Sequence, residues 1–133
     1  MNVIVTLDDR GGMMFNCRRQ SRDRVLNERI LQLCGGKLRL NAYSAKLFAE
    51  LPAELTVAED FLDRAQDDDW CFVEDLRLAP YAGKIGKLAV YRWNRLYPND
   101  FAFDLDLAAW KRLSQTEFAG SSHEKITEEV YIR

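Results

Sequence analysis

Histidine is almost missing from this chain: of 133 residues, only His123 is one. A single imidazole excludes metal centres built on several, including the clustered His–Asp zinc sites of nucleases and hydrolases. The three cysteines, Cys17, Cys34 and Cys71, stand far apart with no Cys-x-x-Cys spacing. They offer neither a thiolate knuckle nor a paired disulfide framework, which points to a reduced, cytoplasmic protein. No apolar run is long enough to cross a bilayer. The opening "MNVIVTLDD" lacks the basic leader, extended apolar region and small-residue cleavage site of a secretory signal. Excess charge is also missing. With 19 basic and 21 acidic residues the net charge is −2, so no global field draws the chain to nucleic acid or an anionic membrane. Contact with a polyanion would need a local patch. Repeats, linkers and low-complexity segments are absent as well.

What is present suffices for one core. Hydrophobic residues make up 47% of the chain, which suits a single domain over residues 1–133. "NVIVTL" is mostly β-branched and apolar, the pattern of a strand buried on both faces. From Ser21, an N-cap candidate, Val25, Leu26, Ile30, Leu33 and Cys34 recur at helical spacing until Gly35-Gly36 stops the helix. "KLRLN" predicts a strand, "AYSAKLFAEL" a short helix ending near Pro52, and Phe61, Leu62 and Ala65 a further helical face. "WCFVE" and "GKLAVYRW" read as strands, with "DLRLAPYAGKI" between them as a helix broken by Pro80. "RLSQTEFAG" and "KITEEVYIR" form a closing hairpin around "SSHE". The order predicts an α/β fold of three αβα layers, its central sheet mostly parallel with a C-terminal antiparallel hairpin.

That order, with several local matches, resembles the dihydrofolate reductase family. "NVIVTLDDRGGMMFN" is similar to the family's first strand and following loop, with Asp-Arg and then Gly-Met. "GKLAVYRWNRLYPNDFAFDLDLAAWKRLSQTEF" is similar to its third-last strand, long loop, Trp-bearing turn and next strand. The resemblance implies NADPH and a heteroaromatic substrate, but three departures argue against the standard cofactor site. A Gly-Gly pair that lets the pyrophosphate approach the backbone is replaced by Glu74-Asp75. The Gly-Arg-x-Thr that holds the 2′-phosphate region is matched by Asn41-Ala42-Tyr43-Ser44. The chain is also shortened between "KLFAEL" and "LTVAEDF", where a strand and its loop look lost. A threonine of the central strand corresponds to Tyr91, a place that faces ligand in the family.

The candidate site gathers at the entrance of the first helix. Asp23 falls about where the family's substrate-holding carboxylate lies, and it would be the catalytic residue of a divergent reductase. Its plainer role is an acid in the helix's first turn, favourable against the macrodipole. Arg18, Arg19, Arg22 and Arg24, with Ser21 and the Gly11-Gly12 turn, suit a phosphate or carboxylate ligand. The same arginines would equally pair internally with Asp8, Asp9, Asp23 and Glu28. Tyr91 completes the ligand-binding set through the resemblance. No metal site is expected, since the acidic runs Asp67–Asp69 and Glu74–Asp75 more often form solvated turns. "YRWNRLYP" interleaves aromatics and arginines in the manner of an RNA-stacking surface, although a central strand would bury them. "SSHE" brings a serine beside a histidine, but sequence neighbours point apart in extended chain. The reading is therefore a binder of a small anionic or nucleotide-like molecule without standard NADPH chemistry. A divergent NADPH-dependent oxidoreductase and an RNA-associated protein are the alternatives.

Overall fold

The computed structural model describes residues 1–133. Its first strand, β1 (Asn2–Leu7), lies at the middle of a seven-stranded sheet, and its side chains alternate as the strand period requires. Val3, Val5 and Leu7 enter one core, while Ile4 enters the other. Both faces are covered, which is why "NVIVTL" is apolar almost throughout rather than at every second position.

The helix after β1 starts later than Ser21. α1 (Arg24–Leu33) is capped by Asp23, whose Oδ1 accepts the Leu26 N–H at 3.1 Å. Ser21 is thus not the cap: the carboxylate two residues on takes that place, and it satisfies an N–H the helix cannot. The helix buries Leu26, Ile30 and Leu31 on one face of the sheet. It stops at Gly35 and Gly36, both at positive φ, where the Gly36 N–H returns to the Leu31 carbonyl.

The stretch between β1 and α1 is a hairpin, β2 (Gly12–Phe15) and β3 (Arg18–Arg19). Its two-residue turn, Asn16 and Cys17, has φ of 52° and 59°, the left-handed pair that a tight hairpin of this hand requires. Asp8 organises the approach to it. Its Oδ1 accepts the N–H groups of Arg10 and Gly12, and its Oδ2 accepts the Tyr97 N–H and the Gln20 side chain. Asp8 therefore serves three backbone N–H groups and one amide side chain, with no guanidinium on it.

The chain continues through β4 (Lys37–Leu40), α2 (Ala42–Ala45) with a 3-10 turn at Lys46–Phe48, β5 (Glu54–Val57) and α3 (Phe61–Arg64). After β6 (Trp70–Phe72) comes a 3-10 segment, Ala79–Lys84, in place of the broken helix expected around Pro80. β7 (Lys87–Arg92) follows. β8 (Phe101–Ala102) joins the hairpin in a small second sheet of order β3-β2-β8, and β9 (Lys111–Phe118) and β10 (Ile126–Ile132) close the chain. The main sheet runs β5-β4-β6-β1-β7-β10-β9. Its first five strands are parallel, and β10 and β9 are antiparallel. This is the mixed α/β sheet with a terminal hairpin that the strand order implied.

α1 and the 42–48 segment cover one face, over a core that includes Phe48, Phe72 and Tyr91. α3, the 3-10 segment at 79–84 and the loop ending at Trp110 cover the other. Helical cover on that second face is thin. No helix is long and apolar enough to cross a membrane.

Candidate functional site

Asp23 is the centre of the most densely hydrogen-bonded polar cluster in the molecule. The β9–β10 turn folds over the start of α1 and aims its donors at this one carboxylate. Ser121 N–H and Leu26 N–H reach Oδ1 at 3.0 and 3.1 Å, and Ser122 N–H reaches Oδ2 at 2.8 Å. His123 Nδ1 lies 3.0 Å from Oδ2. The turn can come this close because residue 120 is glycine. A Cβ there would approach Asp23 Cγ and Ile126 Cδ1 to 2.9 Å. Burial alone would push the Asp23 carboxyl up, but the Ser121 and Ser122 amides, the His123 ring and the Leu26 amide together hold it far below the usual carboxylate range. Asp23 is therefore a fixed anion, neither a bare acid in a helix turn nor a group poised to exchange protons near neutrality.

His123 is buried at 5% exposure and held from every side. Its ring stacks on Trp93, with centroids 4.5 Å apart. With Nδ1 facing Asp23, Nε2 faces two hydroxyls, Ser21 Oγ at 3.1 Å and Tyr97 Oη at 3.0 Å. Ser122 Oγ also lies 3.2 Å from Nδ1 and donates to the Arg22 carbonyl. The expectation that Ser122 and His123 point apart is corrected: they belong to a tight turn, closed by the Gly120 N–H on the His123 carbonyl, and not to extended chain.

Beside this cluster lies a polar cavity of about 620 Å³, between the start of α1, the 46–51 segment and Ser121-Ser122. Arg22, Arg24 and Lys46 bring positive charge to it, against Glu50 and Asp23. Arg24 is taken by Glu28 one turn on, at 2.9 Å. Arg22 and Lys46 make no ion pair and no side-chain hydrogen bond within the protein.

The four arginines expected to act together are separated. Arg19 leaves the helix entrance and pairs with Glu74, with Nε 2.9 Å and Nη2 3.1 Å from the two carboxylate oxygens. Ser44 Oγ donates to the same carboxylate at 2.7 Å, and the Arg19 guanidinium stacks over Tyr43. Asp75 accepts from Asn41 Nδ2. Glu74 and Asp75 are thus not bare charges at the end of β6, because the hairpin supplies a counter-charge from 55 residues away. Arg18 is exposed and lies on β3, outside the cavity.

The remaining expected ligand residues sit in structural roles. Gly11 is a turn residue at φ +73°, and Gly12 packs against Asn99 and Gln20, where a Cβ would come within 2.6 Å. Tyr91 is fully buried and donates to Glu128 Oε2 at 2.7 Å, so it faces the core and no ligand. Tyr91 and Trp93 of "YRWNRLYP" are likewise buried and present no stacking surface. No group of three or more His, Cys, Asp or Glu side chains is placed to hold a metal ion. Asp69 pairs with Arg39 and caps a turn through the Gln66 N–H.

The sequence does not assign Ser121, Ser122, Tyr97 or Lys46 to this site, although Ser122 and Tyr97 lie in the "SSHE" and "YRWNRLYP" motifs. The single signal for the first two was the pairing of a glycine and two serines with the only histidine, at a hairpin turn.

The arrangement of strands defines the class: the chain has a dihydrofolate reductase-like fold. Over 99% of its length it superposes on 95% of the dihydrofolate reductase from Enterococcus faecalis, a structure solved with NADP(H) and RAB-propyl, with a TM-score of 0.69 and 10% identity. Identity at that level speaks for the fold alone. No family model and no curated protein matches the sequence.

Proposed function

We propose that this is a cytoplasmic binding protein for a small anionic molecule, a phosphate- or carboxylate-bearing metabolite, held in the cavity at the start of α1. One observation carries the reading. Arg22 and Lys46, both exposed, line a common cavity of about 620 Å³ with no carboxylate partner, whereas the half-buried Arg19, Arg29, Arg39 and Arg92 are each paired with one. Ser121 and Ser122 also line the cavity. Two uncompensated cations in a concave site favour an anion, and more so for a ligand that displaces solvent.

Standard NADPH reductase chemistry is not part of the proposal. The end of β6 does not fit a pyrophosphate. Glu74 is buried there at 5% exposure, and its oxygens are already saturated by Arg19 and Ser44. A dinucleotide would have to break that pair and then rest against the freed carboxylate.

Thermal shift tests the reading. A ligand present at 100 times its Kd adds about 2.7 kcal/mol, a rise of several degrees for a chain this size. Inorganic phosphate or a phosphorylated metabolite is expected to raise the melting point of the wild type and of Arg19→Ala. The double variant Arg22→Ala, Lys46→Ala should lose the rise. A shift with NADPH alone would contradict the proposal.

A further inference from the structure

We infer that Ser21, His123 and Asp23 form a nucleophile relay competent for acyl transfer from an activated carboxylic ester. This goes beyond the anion-binding reading and does not depend on it. Ser21 Oγ lies 3.1 Å from His123 Nε2, and His123 Nδ1 lies 3.0 Å from Asp23 Oδ2. A hydroxyl on one ring nitrogen and a fixed carboxylate on the other is the arrangement that activates a serine: the carboxylate sets the tautomer, leaving Nε2 to receive the proton. The Asp23 carboxylate cannot swing away, because three backbone N–H groups hold it. The ring cannot tilt, because Trp93 stacks on it. His123 and Asp23 are buried, whereas Ser21 is only half-buried, which makes it the most accessible of the three residues.

The N–H groups of Ser21 and Arg22 donate to no group in the protein. They are the donors at hand for a carbonyl oxygen that gains charge when Oγ attacks. The structural role of His123, as a staple between the turn and α1, accounts for the Asp23 contact. It does not require a half-exposed serine at Nε2, because Tyr97 already fills that nitrogen.

The step balances without an external oxidant or reductant. Ser21 Oγ forms a bond to the ester carbonyl carbon while its proton passes to His123 Nε2. The carbon–oxygen bond to the leaving alcohol then breaks, and that alcohol takes the proton from Nε2. Water hydrolyses the acyl-serine by the same route, releasing the acid. Asp23 acts as a positioning residue throughout.

The test is labelling of the whole chain with a fluorophosphonate ester, which forms an oxygen–phosphorus bond and expels fluoride. Intact mass should rise by one phosphonyl group, and peptide mapping should place it on Ser21. Ser21→Ala, which removes one of two hydroxyls at His123 Nε2 and none of the donors to Asp23, should abolish the adduct while circular dichroism stays native. His123→Gln should slow labelling by about 100-fold or more, the contribution expected of a general base. Tyr97→Phe, which removes the competing hydroxyl, should leave labelling in place. A native-folded wild type that takes no adduct, or an adduct mapped to Ser121, Ser122 or any residue but Ser21, would overturn the inference.

Discussion

Two of the molecule's five buried carboxylates, Glu74 and Asp23, are satisfied in opposite ways. Glu74, at the carboxyl end of β6, is neutralised by a long cation delivered from the β2–β3 hairpin, and the Arg19 guanidinium fills the space in front of it. Asp23, at the start of α1, is satisfied by short backbone donors and one imidazole, and beside it a cavity remains with Arg22 and Lys46 uncovered. A guanidinium closes the site it neutralises. Backbone amides neutralise without filling, so the second region keeps room for a ligand and the first does not. The end of β6 is closed by the Arg19–Glu74 pair, and the cavity beside the β9–β10 turn stays open.

The largest test of that contrast is Asp23→Ala. It strands three N–H groups and the imidazole and removes the helix cap, with an expected loss of about 3–5 kcal/mol in urea unfolding. The same carboxylate sets an acid limit. A carboxyl held below its unfolded value contributes stability that is whole above about pH 4–5 and is lost as pH falls through that range toward the folded value. Glu128, whose carboxyl burial pushes up but Arg29 and Tyr91 pull below the usual range, acts in the same direction. Stability should therefore drop below about pH 4, and Asp23→Asn should flatten the slope; an unchanged slope would remove Asp23 from the account.

Arg19→Ala leaves Glu74 buried without its counter-charge and should cost about 2–3 kcal/mol. Replacing both partners, Arg19→Met with Glu74→Leu, should recover most of that loss. A neutral single variant would show that the pair does not hold that end closed.

Gly120→Ala forces a methyl against the Asp23 carboxylate and Ile126, and about 1–2 kcal/mol is expected from the displaced turn. The smallest effect belongs to Arg24→Ala. Its partner Glu28 lies one helical turn away on an exposed face, so no more than about 0.5 kcal/mol should be lost.

Sequence carried the scaffold well where periodicity spoke. β1, α1, β7 and the closing hairpin are each written in local patterns of apolar residues, and Gly35-Gly36 ends α1 by its own conformational freedom. It carried the site only in part. Asp23 stood out by position, and Arg22 by its place at the helix entrance. The partners that give them meaning, Ser121, Ser122 and His123, lie 98 to 100 residues away, and nothing local announces that contact. A separation of 55 residues likewise hid the fate of Arg19. Four arginines in seven residues look like one patch until a hairpin turn at Asn16-Cys17 sends one of them to Glu74. The objection to a pyrophosphate also changed its physical basis, from repulsion by bare carboxylates to a space already filled.

The most direct measurement is a titration of the 15N-labelled protein with inorganic phosphate, followed amide by amide. The account predicts saturable shifts confined to residues 22–24, 46–50 and 121–122, with Glu74, Asp75 and Leu76 unmoved. Shifts centred on Glu74–Leu76 with residues 22–24 silent would place the ligand at the end of β6 and contradict it.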